Sequence, residues 1–375
     1  MKEVSLYIHI PFCKQKCWYC DFPSFAGKED LMNEYLKALR KEVNNRVKDV
    51  KIKTIFVGGG TPTYLHLEGI LELGDIIKNL NTAEDLEFTV EANPGTLTED
   101  KLKALKDIGV NRISVGLQAV QNNHLKDIGR IHTFNEFKEN FYRARNAGFN
   151  NINVDLMFGL PNQTIEEWEQ SLKEISSLEP EHISAYSLII EEGTPFKRYY
   201  EKGILRLPTE EEERTMYNMT LDILGKKGYT QYEISNFSKK NRECRHNIVY
   251  WDLTEYIGVG SSSSSYIDSK RYRNQCTIEK YIEEVNEKGY SFEEINENSL
   301  EDNMEEFMFM GLRKVDGISI EDFYKRFNIS IYEIYGKLIK KYIEQKLLIE
   351  DNGRLYLSHK GIEVSNSIMS DFILS

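Results

Sequence analysis

The stretch Cys13-Lys14-Gln15-Lys16-Cys17-Trp18-Tyr19-Cys20 places three thiols on one short segment. An alternating apolar run from Val4 to Ile10 precedes it and reads as a strand, so the thiols sit on the loop leaving that strand's C-terminal end. Lys14, Gln15 and Lys16 mark the loop as polar, whereas free cysteines kept only for packing favour cores. Three thiolates this close call for a metal. Structural zinc usually takes four protein ligands, and the remaining cysteines, Cys244 and Cys276, are remote and lack knuckle spacing, which makes zinc the weaker reading. A cubane iron–sulfur cluster is normally held by four thiolates, so three leave one iron open to a chelating ligand.

Outward from this loop, the chain alternates between two periodicities. Leu31, Tyr35, Leu39 and Val43 recur every four residues and predict an amphipathic helix from about Asp30 to Val47. Strand-then-helix pairs follow at Thr54 to Val57 with Glu68 to Asn79, Leu86 to Ala92 with Thr98 to Ile108, and Arg112 to Leu117 with Phe134 to Ala147. Two more are Ile152 to Phe158 with Ile165 to Leu178, and His182 to Ile189 with Glu210 to Leu224. Six such units with right-handed crossovers predict an α/β fold on a parallel sheet, either open or curled into a barrel.

In barrels the chemistry gathers at the C-terminal ends of the strands, and the oddities of this chain fall there. Gly58-Gly59-Gly60-Thr61-Pro62 follows the second strand, and its glycines let backbone groups approach a ligand. Glu91 ends the third strand, Gln118 the fourth, Arg130 lies in the loop beyond, and Asp155 stands inside the apolar fifth strand, where an acid must face a lumen or a partner.

The 375 residues exceed one compact core, with 48 basic against 60 acidic side chains and a net charge of −12. That balance opposes nonspecific nucleic-acid or anionic-membrane binding. No apolar run is long enough to span a bilayer and no signal-peptide core stands at the start, so a soluble, cytoplasmic protein is expected. Five cysteines, an odd number with three clustered, fit a reducing compartment better than a disulfide framework.

The Cys-x3-Cys-x2-Cys spacing, with Tyr19 before the last cysteine, resembles the radical S-adenosylmethionine (SAM) superfamily. That resemblance implies a [4Fe-4S] cluster on Cys13, Cys17 and Cys20, whose open iron chelates SAM and whose electron generates a 5′-deoxyadenosyl radical. Tyr7-Ile8-His9-Ile10-Pro11-Phe12-Cys13, Glu91-Ala92-Asn93-Pro94, Ser114-Val115-Gly116-Leu117-Gln118 and Asp155-Leu156-Met157-Phe158-Gly159-Leu160-Pro161 are similar to motifs of its coproporphyrinogen-oxidase-like branch. The resemblance, which covers most of residues 4–260, implies a partial (β/α) barrel. It implies that Tyr7 and Tyr19 flank SAM and that Gly59, Gly60 and Thr61 hold its methionine part. Glu91, Gln118, Arg130 and Asp155 would then position its amino-acid, ribose and adenine groups.

Within that branch the oxygen-independent coproporphyrinogen III oxidases carry a fourth cysteine two residues after the third, and an N-terminal segment before the first strand. Here Asp21-Phe22 follows the third cysteine and the strand comes at once. Both departures resemble the HemW-type heme chaperones, as does His246-Asn247-Ile248-Val249-Tyr250-Trp251, a signature that implies heme binding at His246. Neutral imidazole is a good axial ligand and aromatic faces can cover a porphyrin. The implied function is a heme carrier that delivers to an acceptor protein, which could itself be membrane-associated, with coproporphyrinogen III dehydrogenase activity as the alternative.

Three regions are expected: a barrel core over 1–235, a connecting region over 236–295 and a small domain over 296–375. In the last, helical spacing in Asn303 to Leu312, Ile320 to Phe327 and Tyr332 to Lys346 precedes a hairpin around Asn352-Gly353, a winged-helix-like pattern. Its ten cations against thirteen anions from residue 301 onward lack a duplex-binding footprint. Gly258-Val259-Gly260 and the serines from Ser261 to Ser265 read as a pliable polar loop.

Overall fold

A computed structural model describes residues 1–374. β1 (Lys2–Ile10), α1 (Met32–Arg46), β2 (Val50–Gly59), α2 (Leu67–Ile77), β3 (Thr82–Ala92), α3 (Glu99–Asp107) and β4 (Arg112–Gln118) open the chain. The short α4 (Asn122–Asp127) precedes α5 (Phe134–Asn146), then come β5 (Ile152–Phe158), α6 (Ile165–Ser177) and β6 (His182–Ser187). The second short helix, α7 (Pro195–Glu201), precedes α8 (Glu210–Lys226). Helix starts follow local chemistry. Thr133, Thr164 and Thr209 each accept from the backbone N–H three residues on, while Glu136, Glu167 and Glu212 reach back to the cap, closing three capping boxes.

β1 to β6 pair in sequence order and in parallel. Their alternate residues divide the sheet into two faces. Leu6, Ile8, Ile55, Val57, Phe88, Val90, Ile113, Val115, Val154 and Leu156 are buried in the main core beneath the helices. The intervening residues, among them Tyr7, Glu91, Arg112, Ser114, Asn153 and His182, form the polar inner wall of a partial barrel. Antiparallel strands extend the sheet beyond β6, as β8 (Asn236–Ser238) and β7 (Thr230–Glu233).

The stretch 236–295 adds strands to the sheet. After α9 (Arg245–Trp251), β9 (Tyr256–Val259) pairs in parallel with β1 on its free side. β10 (Ser264–Ile267), β11 (Lys270–Arg273) and β12 (Glu294–Glu297) continue antiparallel from it, with α10 (Ile278–Lys288) between the last two, giving one twelve-stranded open sheet. The serine run is therefore no pliable loop: Ser261, Ser263 and Ser265 are buried. Glu42 on α1 explains why, because its buried carboxylate accepts from Gly260 N (2.8 Å), Asn274 Nδ2 (2.8 Å), Tyr281 Oη (2.7 Å) and Arg46 Nη1 (2.8 Å).

The C-terminal unit has its own core. α11 (Leu300–Gly311), β13 (Ile318–Ser319), α12 (Ile320–Phe327) and α13 (Ile331–Glu344) lead into the hairpin β14 (Leu348–Asp351) and β15 (Arg354–Leu357), then α14 (His359–Glu363) and α15 (Ser365–Ser370). It is stitched to the barrel by Ile234 N to Arg313 O (3.1 Å) and Val315 N to Tyr232 O (3.0 Å). No helix among the described residues is long and apolar enough to cross a membrane.

Removing a buried carboxylate that satisfies four donors leaves all four desolvated without a partner. Glu42→Ala is expected to cost about 3 to 5 kcal/mol in urea unfolding; a cost below about 1 kcal/mol would show that the β9 closure does not hang on this side chain.

Candidate cofactor site

The cysteine loop is tied down on both sides. Cys13 N donates to Phe25 O (2.9 Å) and Thr61 N to Phe12 O (2.8 Å), while Trp18 N reaches Ile128 O (3.1 Å) and Gln15 Nε2 reaches Gly129 O (3.0 Å). The thiols therefore hang over the C-terminal ends of β1, β2 and β4. All three are free of disulfides. Burial raises the Cys13 thiol, and burial followed by the neighbouring Cys17 pushes Cys20 up to about 11, so the thiolates ask for a cation to stabilise them. Among the described residues no three metal-ligating side chains converge on one ion position, and the thiols are spread around the loop. Three polar, loop-borne thiols beside a glycine-lined opening suit a cluster with one exchangeable corner.

Below the loop the inner wall is one connected polar surface. Arg130 Nη1 donates to Cys17 Sγ (3.5 Å), and Arg130 Nη2 to Asn93 Oδ1 (2.6 Å) and to Gly116 O. Asn93 Nδ2 in turn reaches Thr61 Oγ1 (2.7 Å), which sits 3.6 Å from Cys13 Sγ. Burial works against the Arg130 cation, but Tyr19 and Cys17 outweigh it and hold it charged. Asn93 is the hub that joins the glycine loop, the arginine and the cysteines. It stands in a quoted motif, yet only the spatial meeting of three loops gives it that role.

Gly59 N donates to Glu91 Oε2 (3.1 Å). Gly59 has φ +106°, and a Cβ there would lie 2.2 Å from the His9 ring, so only glycine passes. A Cβ on Gly60 would meet the carbonyls of Ile10 and Phe12 at 2.8 Å. His9 Nε2 donates to Pro23 O (2.9 Å), which fixes the tautomer and leaves Nδ1 to accept from Tyr7 Oη (3.0 Å). Burial lowers His9 to about 4, so it stays neutral.

Asp155 accepts from Ser114 Oγ (3.2 Å) and Asn153 Nδ2 (2.7 Å) deep in the lumen. Glu91 is pushed up to about 7, by burial first and then by Asp155, against the pull of Gly59 N–H and Arg112. Gln118 takes φ +78°, a strained left-handed position for a residue with a side chain, and its Oε1 accepts from Tyr186 Oη (2.9 Å). Tyr19 is half-buried, with Cys17, Arg130 and Tyr186 as neighbours. Tyr7, Tyr19, Gly59, Gly60, Thr61, Glu91, Gln118, Arg130 and Asp155 thus lie on the inner face of the sheet or in the loops at its C-terminal end.

His246 is not among them. It sits on α9 at the opposite end of the lumen, 0% exposed. Nδ1 pairs with Thr54 Oγ1 (2.7 Å), Nε2 with Tyr250 Oη (2.9 Å), and its backbone N–H with Glu87 Oε1 (3.0 Å). Burial, then Arg112, lowers it to about 3. The ring thus ties α9 to β2 through Thr54 and to its own next turn through Tyr250. Cys244 is likewise sealed, 0% exposed beside Glu87.

The Radical SAM superfamily profile matches residues 7–175, and that of the HemN C-terminal domain matches 298–364. The heme chaperone HemW of Bacillus subtilis is 41% identical over 98% of this chain and 99% of its own length. The HemW of Lactococcus lactis is 40% identical over 100% and 98%. Among solved structures, the Escherichia coli coproporphyrinogen III oxidase HemN, described as a radical SAM enzyme, superposes with a TM-score of 0.87 at 22% identity, covering 100% of this chain and 90% of that one. That likeness shows the shared fold.

A carboxyl raised from 4.5 to about 7 favours folding fully below pH 4.5 and loses that contribution as pH climbs through 7, which amounts to roughly 3 kcal/mol. A cationic ligand takes the ionised form. Affinity for SAM is therefore expected to rise between pH 6 and 8, by isothermal titration, and Glu91→Gln to flatten that rise; an unchanged profile in the variant would move the cation elsewhere.

Proposed function

The chain belongs to the HemW heme-chaperone family of the radical SAM superfamily, and from that premise we propose that it binds heme and passes it to an acceptor protein on a [4Fe-4S]- and SAM-binding scaffold. The observation that carries this reading is the match to curated heme chaperones along the whole chain. The sequence agrees at the cysteine loop, where Asp21-Phe22 follows the third thiol and Phe22 is left exposed.

In this reading Cys13, Cys17 and Cys20 hold the cluster. When bound, the cluster supplies an electron to a chelated sulfonium. The chain's own groups do the placing. Glu91, beside the Gly59 amide, takes the ammonium group of SAM, and the Gly59-Gly60-Thr61 backbone lies along its methionine chain. Arg130, already a fixed cation, answers its carboxylate, while Gln118 and Asp155 receive ribose and adenine groups. Tyr7 and Tyr19 close the two sides and keep bulk water out. The acceptor lies in the same reducing cytoplasm that keeps the five thiols free, whether soluble or membrane-associated.

Anaerobically reconstituted protein is expected to carry about four irons per chain, falling to near zero in Cys17→Ala. Loaded with heme and mixed with candidate apo-acceptors, it should lose heme to one of them, read by the acceptor's Soret band. Incubation with reductant, SAM and coproporphyrinogen III should yield no vinyl product; its appearance, with no heme transfer, would make the protein an oxidase instead.

A further inference from the structure

Two of the three clustered sulfurs face a polar side chain, and a single amide stands behind both of those side chains. Thr61 Oγ1 lies 3.6 Å from Cys13 Sγ, and Arg130 Nη1 lies 3.5 Å from Cys17 Sγ. A thiolate bound to iron carries no proton, so in each pair the hydroxyl or the guanidinium is the donor. Asn93 bonds to both donors. Its Nδ2 donates to Thr61 Oγ1 (2.7 Å), and its Oδ1 accepts from Arg130 Nη2 (2.6 Å). Because a guanidinium only donates, the amide oxygen faces Arg130 and the amide nitrogen is left for the threonine. That bond occupies a lone pair of the Thr61 hydroxyl and leaves its proton free to turn to sulfur.

The amide is itself held in place. Asn93 O accepts from Thr96 N (3.1 Å) and Thr96 Oγ1 (2.6 Å), and Thr63 Oγ1, just past the glycine loop, sits 2.6 Å from Thr96 Oγ1. Lys101 Nζ donates to Thr63 O (2.8 Å). The loops after β2 and β3 are therefore clamped together twice, once by Asn93 with Thr61 and once by Thr96 with Thr63. On the far side Gly116 O accepts from Arg130 Nη2, and a Cβ on Gly116 would lie 3.0 Å from Asn93 Oδ1 and 3.2 Å from Arg130 Nη2. Glycine gives the amide and the guanidinium room to meet there. Aspartate in place of Asn93 could not donate to Thr61, and leucine could neither donate nor accept.

Hydrogen bonds to its sulfurs help set how readily an iron–sulfur cluster accepts an electron, because a donor stabilises the negative charge that reduction adds. We propose that Asn93 is a positioning residue that raises the reduction potential of the cluster, by keeping the Thr61 O–H on Cys13 and an Arg130 N–H on Cys17. The proposal rests on the reading of the three cysteines as cluster ligands. Reduction brings in one electron from a low-potential one-electron donor; no bond to the protein breaks, and Thr61 and Arg130 keep their protons. The bonds of Asn93 go to the donors and not to the sulfurs, so its effect passes through them.

The test is potentiometry of the anaerobically reconstituted full-length protein without SAM, read by the electron paramagnetic resonance signal of the reduced cluster. Asn93→Leu, of similar size, should keep about four irons per chain and make reduction about tenfold less favourable, a fall of about 59 mV for one electron. Thr61→Val removes one donor and should lower the potential by less. In the Thr61→Val background Asn93→Leu should lower it by less than it does alone, because part of its effect runs through the hydroxyl. Should the leucine variant assemble no cluster, Asn93→Asp takes its place in the same cycle: its added charge acts equally in both backgrounds, while its hydrogen-bond effect survives only where Thr61 has a hydroxyl. An unchanged potential, or equal falls in the two backgrounds, overturns this role for Asn93 and leaves the cluster reading standing. If the unaltered protein assembles no cluster, both fall.

Discussion

Charge kept out of water is the constraint from which the rest of this barrel follows. Arg112 is 2% exposed on the inner face of β4, and its Nε has no partner. Glu87, Glu91 and Asp155 share the same lumen. A buried ion with no counter-charge is prohibitively costly, so these groups can only exist as a set. Burial comes first for all four groups, raising Glu91 and Asp155 and keeping His246 and His182 neutral; Arg112 opposes the rise of the two acids and reinforces the neutrality of the two histidines.

The two ends of the lumen have opposite characters. At the floor every polar atom of His246 and most of those around it are paired, and His182 is bonded through both nitrogens, to Asn153 (2.6 Å) and Tyr232 (2.8 Å). At the mouth the backbone is strained: Gly59 and Gln118 take positive φ at the ends of β2 and β4. Strain persists only where the surroundings enforce it, and barrels place it where ligands arrive. The floor confers stability so that the mouth can hold groups in readiness.

How much of this was legible depended on distance along the chain. Ile152 to Phe158 and Ile320 to Phe327 were readable because their own periodicity defines them, and both elements have those limits. The Asn352-Gly353 turn declared itself because both residues take positive φ, +49° and +75°. β11, Lys270–Arg273, and β12, Glu294–Glu297, carry no apolar alternation, and become strands only because β10 offers an edge. The serines from Ser261 to Ser265 suggested mobility until Glu42, far away on α1, supplied their neighbourhood with an acceptor. The surroundings of His246 were illegible for the same reason: Thr54 and Glu87, which bond its ring and its backbone, lie far away in sequence on β2 and β3.

Tyr186 stands between the lumen and the cavity at the end of β6. It borders the outer cavity, and its hydroxyl donates to Gln118 Oε1 inside the lumen at 2.9 Å. Gln118 holds a conformation that its backbone resists, so the bond from Tyr186 helps fix a strained residue. A ligand that moves Tyr186 from the cavity side changes the cost of that strain, and a ligand that engages Gln118 from the lumen changes the freedom of Tyr186. Coupling of this kind is reciprocal: whatever factor an occupied cofactor site imposes on the cavity, an occupied cavity imposes on the cofactor site.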